Sequence, residues 1–198
     1  SGVPARSHFQ RAAEREFARC RRYGEDAAVL LIAADHLRSI AAQHGSAAAE
    51  SVLTAVALKA RAGLRQPDLV ARYGGEEFVV LTTGVERRQA RERAEALRQM
   101  IRQVEIEGTG RAHAPSVTVS VGLASAVPED GIRPEDLLAA ADRALYQAKR
   151  QGRDCEEYAQ GLDQFFLLHA DRLQERHRRD DLHAGGRRAL AFFIMQPQ

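Results

Sequence analysis

The stretch RYGGEEFVVL, residues 72–81, decides the fold of this protein. Its glycine pair, Gly74 and Gly75, is flanked on both sides by short segments rich in apolar residues. Two such segments joined by two glycines are typical of a β-hairpin, because glycine adopts the turn conformations that other residues avoid. The sequence therefore predicts two antiparallel strands, with the carboxylates Glu76 and Glu77 directly beside the turn.

Further strands and helices are predicted on both sides of this hairpin. The apolar run at residues 28–34 predicts a strand buried on both faces, and strict alternation over 116–125 predicts a strand with its valines on one side. Apolar residues at helical spacing predict helices over 6–22, 46–62, 86–104 and 134–150. The predicted order is α-β-α-α-β-β-α-β-α, with a last strand near 153–158. This order indicates an α+β fold, with a mostly antiparallel central sheet flanked by helices.

Composition excludes several classes of protein. A chain of 198 residues with 44% hydrophobic residues has room for one domain with an appendage and can build a sizeable core. The net charge of +2 is too even for a nucleic-acid-binding polycation. No apolar run reaches the roughly 18 residues of a membrane span, and Cys20 and Cys155 are too few for a disulfide framework. We therefore expect a cytoplasmic protein with no nucleic-acid partner and no membrane insertion in this chain.

The hairpin has the chemistry of a phosphate and metal site. Glycines let the backbone approach a bulky anion, and carboxylates beside a phosphate commonly hold Mg²⁺. On these residues alone, a solvent-exposed hairpin without chemistry remains the simpler interpretation.

Several motifs together resemble the GGDEF family, the diguanylate cyclases. RYGGEEFVVL, VTVSVGLA and ADRALYQAKRQGR stand in that family's order, and SGVPARSHF resembles its entry segment. The resemblance covers about residues 1–158 and implies a palm-like fold shared with nucleotidyl cyclases. It also implies a homodimer in which each domain holds GTP with Mg²⁺, and each 3′-hydroxyl attacks the α-phosphate of the other GTP.

The resemblance also implies roles for individual residues. Gly74 and Gly75 would lie against the nucleotide, Glu76 would bind the metal, and Glu77 would assist at the metal or at the attacking hydroxyl. Three basic residues would contact phosphates: Arg38, Lys149 and Arg153.

The chain departs from the family pattern at the metal and guanine ligands. Where the family ends its first strand with two acids spaced Asp-x-Asp, this chain has Ala33 and then Asp35. Ala41 replaces an asparagine that binds guanine, and Glu50 stands where a second guanine contact is usually aspartate. Asp35 is the remaining candidate for the second metal ligand, although residues two positions apart on a strand are about 6–7 Å apart. Because alanine offers Mg²⁺ no oxygen, we expect impaired catalysis.

Three functions remain open on these grounds. The leading hypothesis is a catalytically impaired GGDEF domain that works as a regulatory nucleotide-binding module. The alternative is an active diguanylate cyclase that uses Glu76, Glu77 and Asp35 for its metals. The third is a structural domain that serves dimerisation and binds no nucleotide.

A second motif, RQPD at residues 65–68, precedes the hairpin. In the family an RxxD at this spacing is an inhibitory site for the product, cyclic di-GMP. Arg65 would donate to the Hoogsteen edge of guanine, and Asp68 would accept from its N1 and N2. A turn with a fortuitous ion pair is the competing interpretation. A helper arginine of the family falls at Ala96, and the neighbouring Arg93 and Arg98 are candidates to replace it.

The last forty residues lie outside this resemblance. Residues 159–183 are predicted to contain a connecting helix, and 184–198 end in the apolar strand segment ALAFFIMQPQ. Helix, turn and strand ending in Gln196-Pro197 resemble the start of an EAL domain, a family of cyclic di-GMP phosphodiesterases. We therefore expect a fragment of a tandem GGDEF–EAL protein, with the EAL domain as a neighbour. The alternative is that the strand pairs with this domain's own sheet or with a partner chain.

Overall fold

The computed structural model describes residues 6–65, 68–104, 117–128 and 132–159, which contain five helices and five strands. Their bounds in chain order are α1 Arg6–Tyr23, β1 Ala27–Ala34, α2 Leu37–His44, α3 Ser46–Ala62, β2 Leu69–Arg72, β3 Glu77–Thr83, α4 Arg87–Arg102, β4 Val119–Ala126, α5 Pro134–Arg150 and β5 Glu156–Tyr158. The chain divides into two compact units, Ser1–Leu162 and Asp163–Gln198, and every described residue lies in the first. The predicted connecting helix and the predicted EAL-like strand lie outside the described residues.

The five strands form one sheet in the order β2-β3-β1-β4-β5. The pairs β2–β3, β3–β1 and β1–β4 are antiparallel, and only the pair β4–β5 is parallel. The α+β prediction with a mostly antiparallel sheet is therefore confirmed. Strand β1 is central because all eight of its residues are apolar and buried, as its sequence predicts.

Helices cover both faces of the sheet. On one face, Leu30 and Ile32 of β1 belong to the core cluster formed with α3 and α4. On the other face, Val29 and Leu31 lie beside α1 and α5. The predicted one-sided alternation is confirmed, because Val119, Val121 and Leu123 of β4 and the preceding Val117 all belong to the first cluster.

Helix α5 crosses β4 at very close range. A Cβ added at Gly122 would stand 2.7 Å from the Cβ of Leu145 and closer still to the carbonyl oxygen of Ala141. Only glycine allows this approach, because any side chain would collide with helix backbone. The close packing places the last turn of α5, with Lys149, beside the end of β1.

None of the described helices combines the length and the apolar character that crossing a bilayer requires.

Candidate functional site

A cavity of about 460 Å³ opens where β1 ends and α2 begins. The hairpin turn and the end of α5 close it from the other sides. Its charged lining residues are Asp35, Arg38, Glu76, Lys149 and Arg153. The structure thus brings together all three predicted phosphate contacts and both predicted metal ligands. Of the three cations, Arg38 and Arg153 form no ion pair with a described residue and are available to an anion.

Asp35 is a buried structural carboxylate in this cavity wall. Its side chain belongs to a residue that is only 3% exposed. Oδ1 accepts a hydrogen bond from Ser120 Oγ at 2.7 Å, and Oδ2 accepts bonds from Thr118 Oγ1 at 3.0 Å and from the Asp154 N–H at 3.1 Å. Both oxygens are therefore committed to tying the end of β1 to β4 and to the loop after α5.

The hairpin turn is held by an arginine that precedes it. Arg72 donates from Nη2 to the carbonyl oxygen of Gly75 at 2.7 Å and from Nε to that of Gly74 at 3.4 Å. Its Nη1 also lies 3.3 Å from Oε1 of Glu50 on α3. Glu50, the predicted guanine contact, is exposed and forms an ion pair with Arg72.

The two carboxylates after the glycines have different surroundings. The side chain of Glu76 lines the cavity and makes no hydrogen bond or ion pair with any described residue. Glu77 lies in the β3 ladder directly opposite Ala33, and its Oε1 is 3.6 Å from Nζ of Lys149. Glu76 is therefore the carboxylate that is available to a ligand, whereas Glu77 already has a cation beside it.

These residues do not fit a Mg²⁺ site built from two carboxylates. Mg²⁺ requires a near-octahedral set of oxygen ligands. Glu76 supplies one carboxylate, the oxygens of Asp35 are occupied by hydrogen bonds, and Ala33 supplies none. The described part of the chain contains no group of three His, Cys, Asp or Glu residues that could hold a metal ion.

A second cluster of charges surrounds Asp68, whose side chain is completely buried. Oδ2 accepts hydrogen bonds from the Arg65 N–H at 3.1 Å and from Nη1 of Arg93 at 3.3 Å. Oδ1 is also buried but accepts no hydrogen bond from a described residue, and Nε of Arg65 is 4.0 Å away from it. A cavity of about 80 Å³ beside the cluster is lined by Arg93, Thr82 and Ala96, among others.

Of the two arginines suggested as replacements at Ala96, one reaches this cluster. Arg93 contacts Asp68, whereas Arg98 binds Glu95 and Asp154 instead, so the expectation for Arg98 is wrong. The reason is helical geometry. Arg93 and Arg98 are five positions apart on α4, so their side chains point in different directions around the helix axis. The two hydrogen bonds from Arg98 lower the pKa of Glu95 from 4.5 to about 2.

The family described as "Diguanylate cyclase, GGDEF domain" has a sequence model that matches residues 1–155. This chain belongs to the GGDEF family.

Known proteins are similar to this GGDEF domain in sequence and in fold. The diguanylate cyclase DgcP of Pseudomonas aeruginosa is 36% identical over 159 residues, which make up 80% of this chain and 23% of DgcP. The crystal structure of the GGDEF domain of TpbB from the same organism has a TM-score of 0.73 at 32% identity, covering 80% of this chain and 98% of that one. The GGDEF domain of DgcB from Caulobacter crescentus, solved in complex with c-di-GMP, has a TM-score of 0.75 at 24% identity, covering 80% and 92%. This chain spans about a quarter of the length of DgcP.

Sequence reasoning missed three features of this GGDEF domain. Thr118 and Ser120, which hold Asp35, left a usable signal, because they put polar side chains on the second face of a strand that is otherwise apolar. The hairpin contacts of Arg72 left no local signal. Neither did the pairing of Asp154 with Arg98, since the two residues are 56 positions apart.

Proposed function

We propose that this GGDEF domain is a regulatory nucleotide-binding module with impaired cyclase chemistry, and that it binds cyclic di-GMP through Arg65 and Asp68. Its relatives include diguanylate cyclases, and one structural neighbour was solved with c-di-GMP bound. The proposal assigns cyclic di-GMP to the cluster around Asp68 and the phosphates of GTP to the cavity at the end of β1.

The observation that carries the proposal is the state of Asp68. A buried carboxylate oxygen that accepts no hydrogen bond from the described protein is costly, by roughly 1–3 kcal/mol or more for a charged group. The N1–H and N2–H groups of guanine are donors that would satisfy such an oxygen. Nη2 of Arg65 donates to the carbonyl oxygen of Thr83 at 2.9 Å, and the Arg65 side chain is 48% exposed. To bind the Hoogsteen edge of the same base, Arg65 would exchange this backbone contact for the ligand.

Arg93 supports this proposal from α4. Its Nη1 bonds both Oδ2 of Asp68 and Oγ1 of Thr82, at 3.3 and 2.8 Å. These contacts fix Asp68 with its second oxygen unused. They also place a further cation at the cluster, which favours the negative phosphates of a cyclic dinucleotide.

The proposal of impaired catalysis rests on the cavity at the end of β1. Phosphoryl transfer by this family's chemistry needs metal ions that neutralise charge at the α-phosphate. Glu76 stands without a second available carboxylate, because Asp35 is bound to β4 and Ala33 has no ligand atom. Arg38, Lys149 and Arg153 would still attract the phosphates of GTP.

An active cyclase is the second candidate. It is favoured by the free side chain of Glu76 in the cavity and by relatives named as diguanylate cyclases. In that case two copies of the domain would face each other, and Glu76, Glu77 and Asp35 would hold the metals.

Two measurements in parallel decide between these candidates. Titration calorimetry with cyclic di-GMP and with GTP should show tighter binding of cyclic di-GMP. Incubation of concentrated protein with GTP and Mg²⁺ or Mn²⁺ should yield little cyclic di-GMP. Sustained product formation that the substitution Glu76→Ala abolishes would establish the active cyclase instead, and binding of neither nucleotide would leave a structural dimerisation domain.

The proposal extends to the rest of the chain. Residues 159–183 would connect the GGDEF domain to an EAL domain that begins within 184–198, on the strength of the Gln196-Pro197 resemblance. Hydrolysis of cyclic di-GMP by the protein encoded by the whole reading frame, with no hydrolysis by residues 1–158, would support this arrangement.

A further inference from the structure

Two consecutive non-glycine residues after α5 adopt the left-handed backbone conformation. The φ angle is 68° at Arg153 and 49° at Asp154, after 123° at Gly152. Residues with a Cβ rarely adopt this region, so such a segment persists only where surrounding contacts hold it. Among the described residues, the other non-glycine residue with positive φ is His36, which lines the same cavity as Arg153. Unfavourable backbone conformation is thus concentrated at the cavity.

Asp154 is held from two sides. Nη1 of Arg98, on α4, lies 2.6 Å from Oδ1 of Asp154 and 3.0 Å from its carbonyl oxygen. On the other side, the Asp154 N–H donates to Oδ2 of Asp35 at 3.1 Å. Nη1 of Arg102, also on α4, lies 3.5 Å from Oδ2 of Asp154. Side chain, carbonyl and amide of Asp154 are therefore all engaged, which links α4 to the end of β1.

Arg98 is itself held rigidly. It is 9% exposed, and Glu95 receives its Nε and Nη2 at 2.7 Å each, in a two-point pairing. The remaining nitrogen, Nη1, then points to Asp154. A planar guanidinium can serve both partners at once, whereas the single ammonium of lysine cannot reproduce this geometry.

Arg153 has the opposite character. Its side chain is exposed, lines the cavity, and forms no ion pair with a described residue. No described contact holds its guanidinium, so the left-handed backbone of residues 153 and 154 is what directs the Cα–Cβ bond of Arg153 toward the cavity.

We propose that Arg98 is a positioning residue for phosphate binding in the cavity, acting through Asp154 on the neighbouring Arg153. The inference rests on the proposed function, because it takes the cavity to be the phosphate site. Arg98 does not line the cavity, so its effect is indirect and travels through the loop after α5.

Calorimetric titration with inorganic triphosphate in EDTA tests the inference in four proteins: wild type, Arg98→Lys, Arg153→Ala and the double variant. Each single substitution should weaken binding at least about tenfold, the effect of losing one charge-assisted hydrogen bond. The double variant should bind no more weakly than Arg153→Ala alone, because Arg98 acts through Arg153. Additive losses would overturn the inference. Absence of binding by the wild type would overturn the proposed phosphate site, and the inference with it.

Hydrogen exchange gives a readout that does not depend on the ligand. The Asp154 amide should exchange at least about tenfold faster in Arg98→Lys than in the wild type, while the Leu145 amide inside α5 keeps its rate. Asp154→Asn should lose less affinity than Asp154→Ala, since asparagine keeps an acceptor and tolerates left-handed backbone. Equal acceleration at both amides would mean general destabilisation and would contradict positioning.

Discussion

Ala33 and Glu77 are direct neighbours across the β1–β3 ladder, and Ala33 is completely buried. The family resemblance places the missing metal-binding carboxylate at Ala33. An aspartate there would stand beside Glu77 in the non-polar surroundings of the sheet, and two like charges at opposed positions repel each other. This domain therefore lacks the carboxylate that the family resemblance places at residue 33. With an aspartate there, a bound cation would have to offset the repulsion between that aspartate and Glu77.

We predict that Ala33→Asp lowers the melting temperature in EDTA and makes it dependent on metal. Mg²⁺ or Mn²⁺ should raise the melting temperature of the variant but not of the wild type, since a ligand at 100 times its Kd stabilises by about 2.7 kcal/mol. Ala33→Asn is the matched control, because it adds similar volume without charge. Combined with Ala41→Asn, the Ala33→Asp variant should form cyclic di-GMP at least about tenfold faster than the wild type. An equal metal response of the aspartate and asparagine variants would contradict the prediction.

Cyclic di-GMP binding is predicted to depend on the cluster around Asp68. Arg65→Ala should weaken binding at least about tenfold, because a charge-assisted hydrogen bond contributes about 1.5–3 kcal/mol. Arg88→Ala is the control: Arg88 lies on α4 and pairs with Glu92 in a fully surface-exposed ion pair. Calorimetry measures both. Neither heat nor a thermal shift from wild-type protein with cyclic di-GMP would reject the site.

Gly122→Ala should destabilise the domain by about 2–3 kcal/mol, because the added methyl group would collide with the backbone of α5. Gly75→Ala is the matched control, since a Cβ there meets no atom within 4 Å, and it should change stability by less than about 0.5 kcal/mol. Urea unfolding of the two variants gives the comparison. Equal stabilities would show that α5 does not pack so closely on β4.

The pairing of Glu95 with Arg98 predicts a pH dependence of stability. Because the pKa of Glu95 falls from 4.5 to about 2 on folding, its contribution is fully present above pH 4.5 and disappears as the pH falls through 2. The wild type should therefore exceed Glu95→Gln in stability at pH 7, and the difference should shrink steadily between pH 4.5 and 2. Urea midpoints at several pH values measure it, with Glu92→Gln on the exposed face of α4 as the control. A difference that does not vary with pH would exclude this linkage.

The amino-acid sequence by itself determined the elements and their packing faces. The two apolar segments around Gly74 and Gly75 predicted the hairpin, although neither glycine has a positive φ in the structure. The run at 28–34 predicted a fully buried strand, and the alternating valines predicted the inner face of β4. These features depend on the local periodicity of apolar residues, which involves only residues close together in the chain. The cations of the cavity and the RxxD motif were predicted from the family resemblance, which rests on short motifs in the amino-acid sequence.

Only the tertiary structure decided what the polar residues do. Asp35 is bound by Thr118, Ser120 and Asp154, which lie 83, 85 and 119 positions away in the chain. Strand register and helix docking choose such partners, and no short stretch of sequence encodes that choice. Asp35 therefore looked like a metal ligand in the sequence and proved to be engaged in hydrogen bonds in the fold. Arg98 was assigned to the wrong cluster for the same reason, because the direction in which a helix presents a side chain matters only once its neighbours are in place.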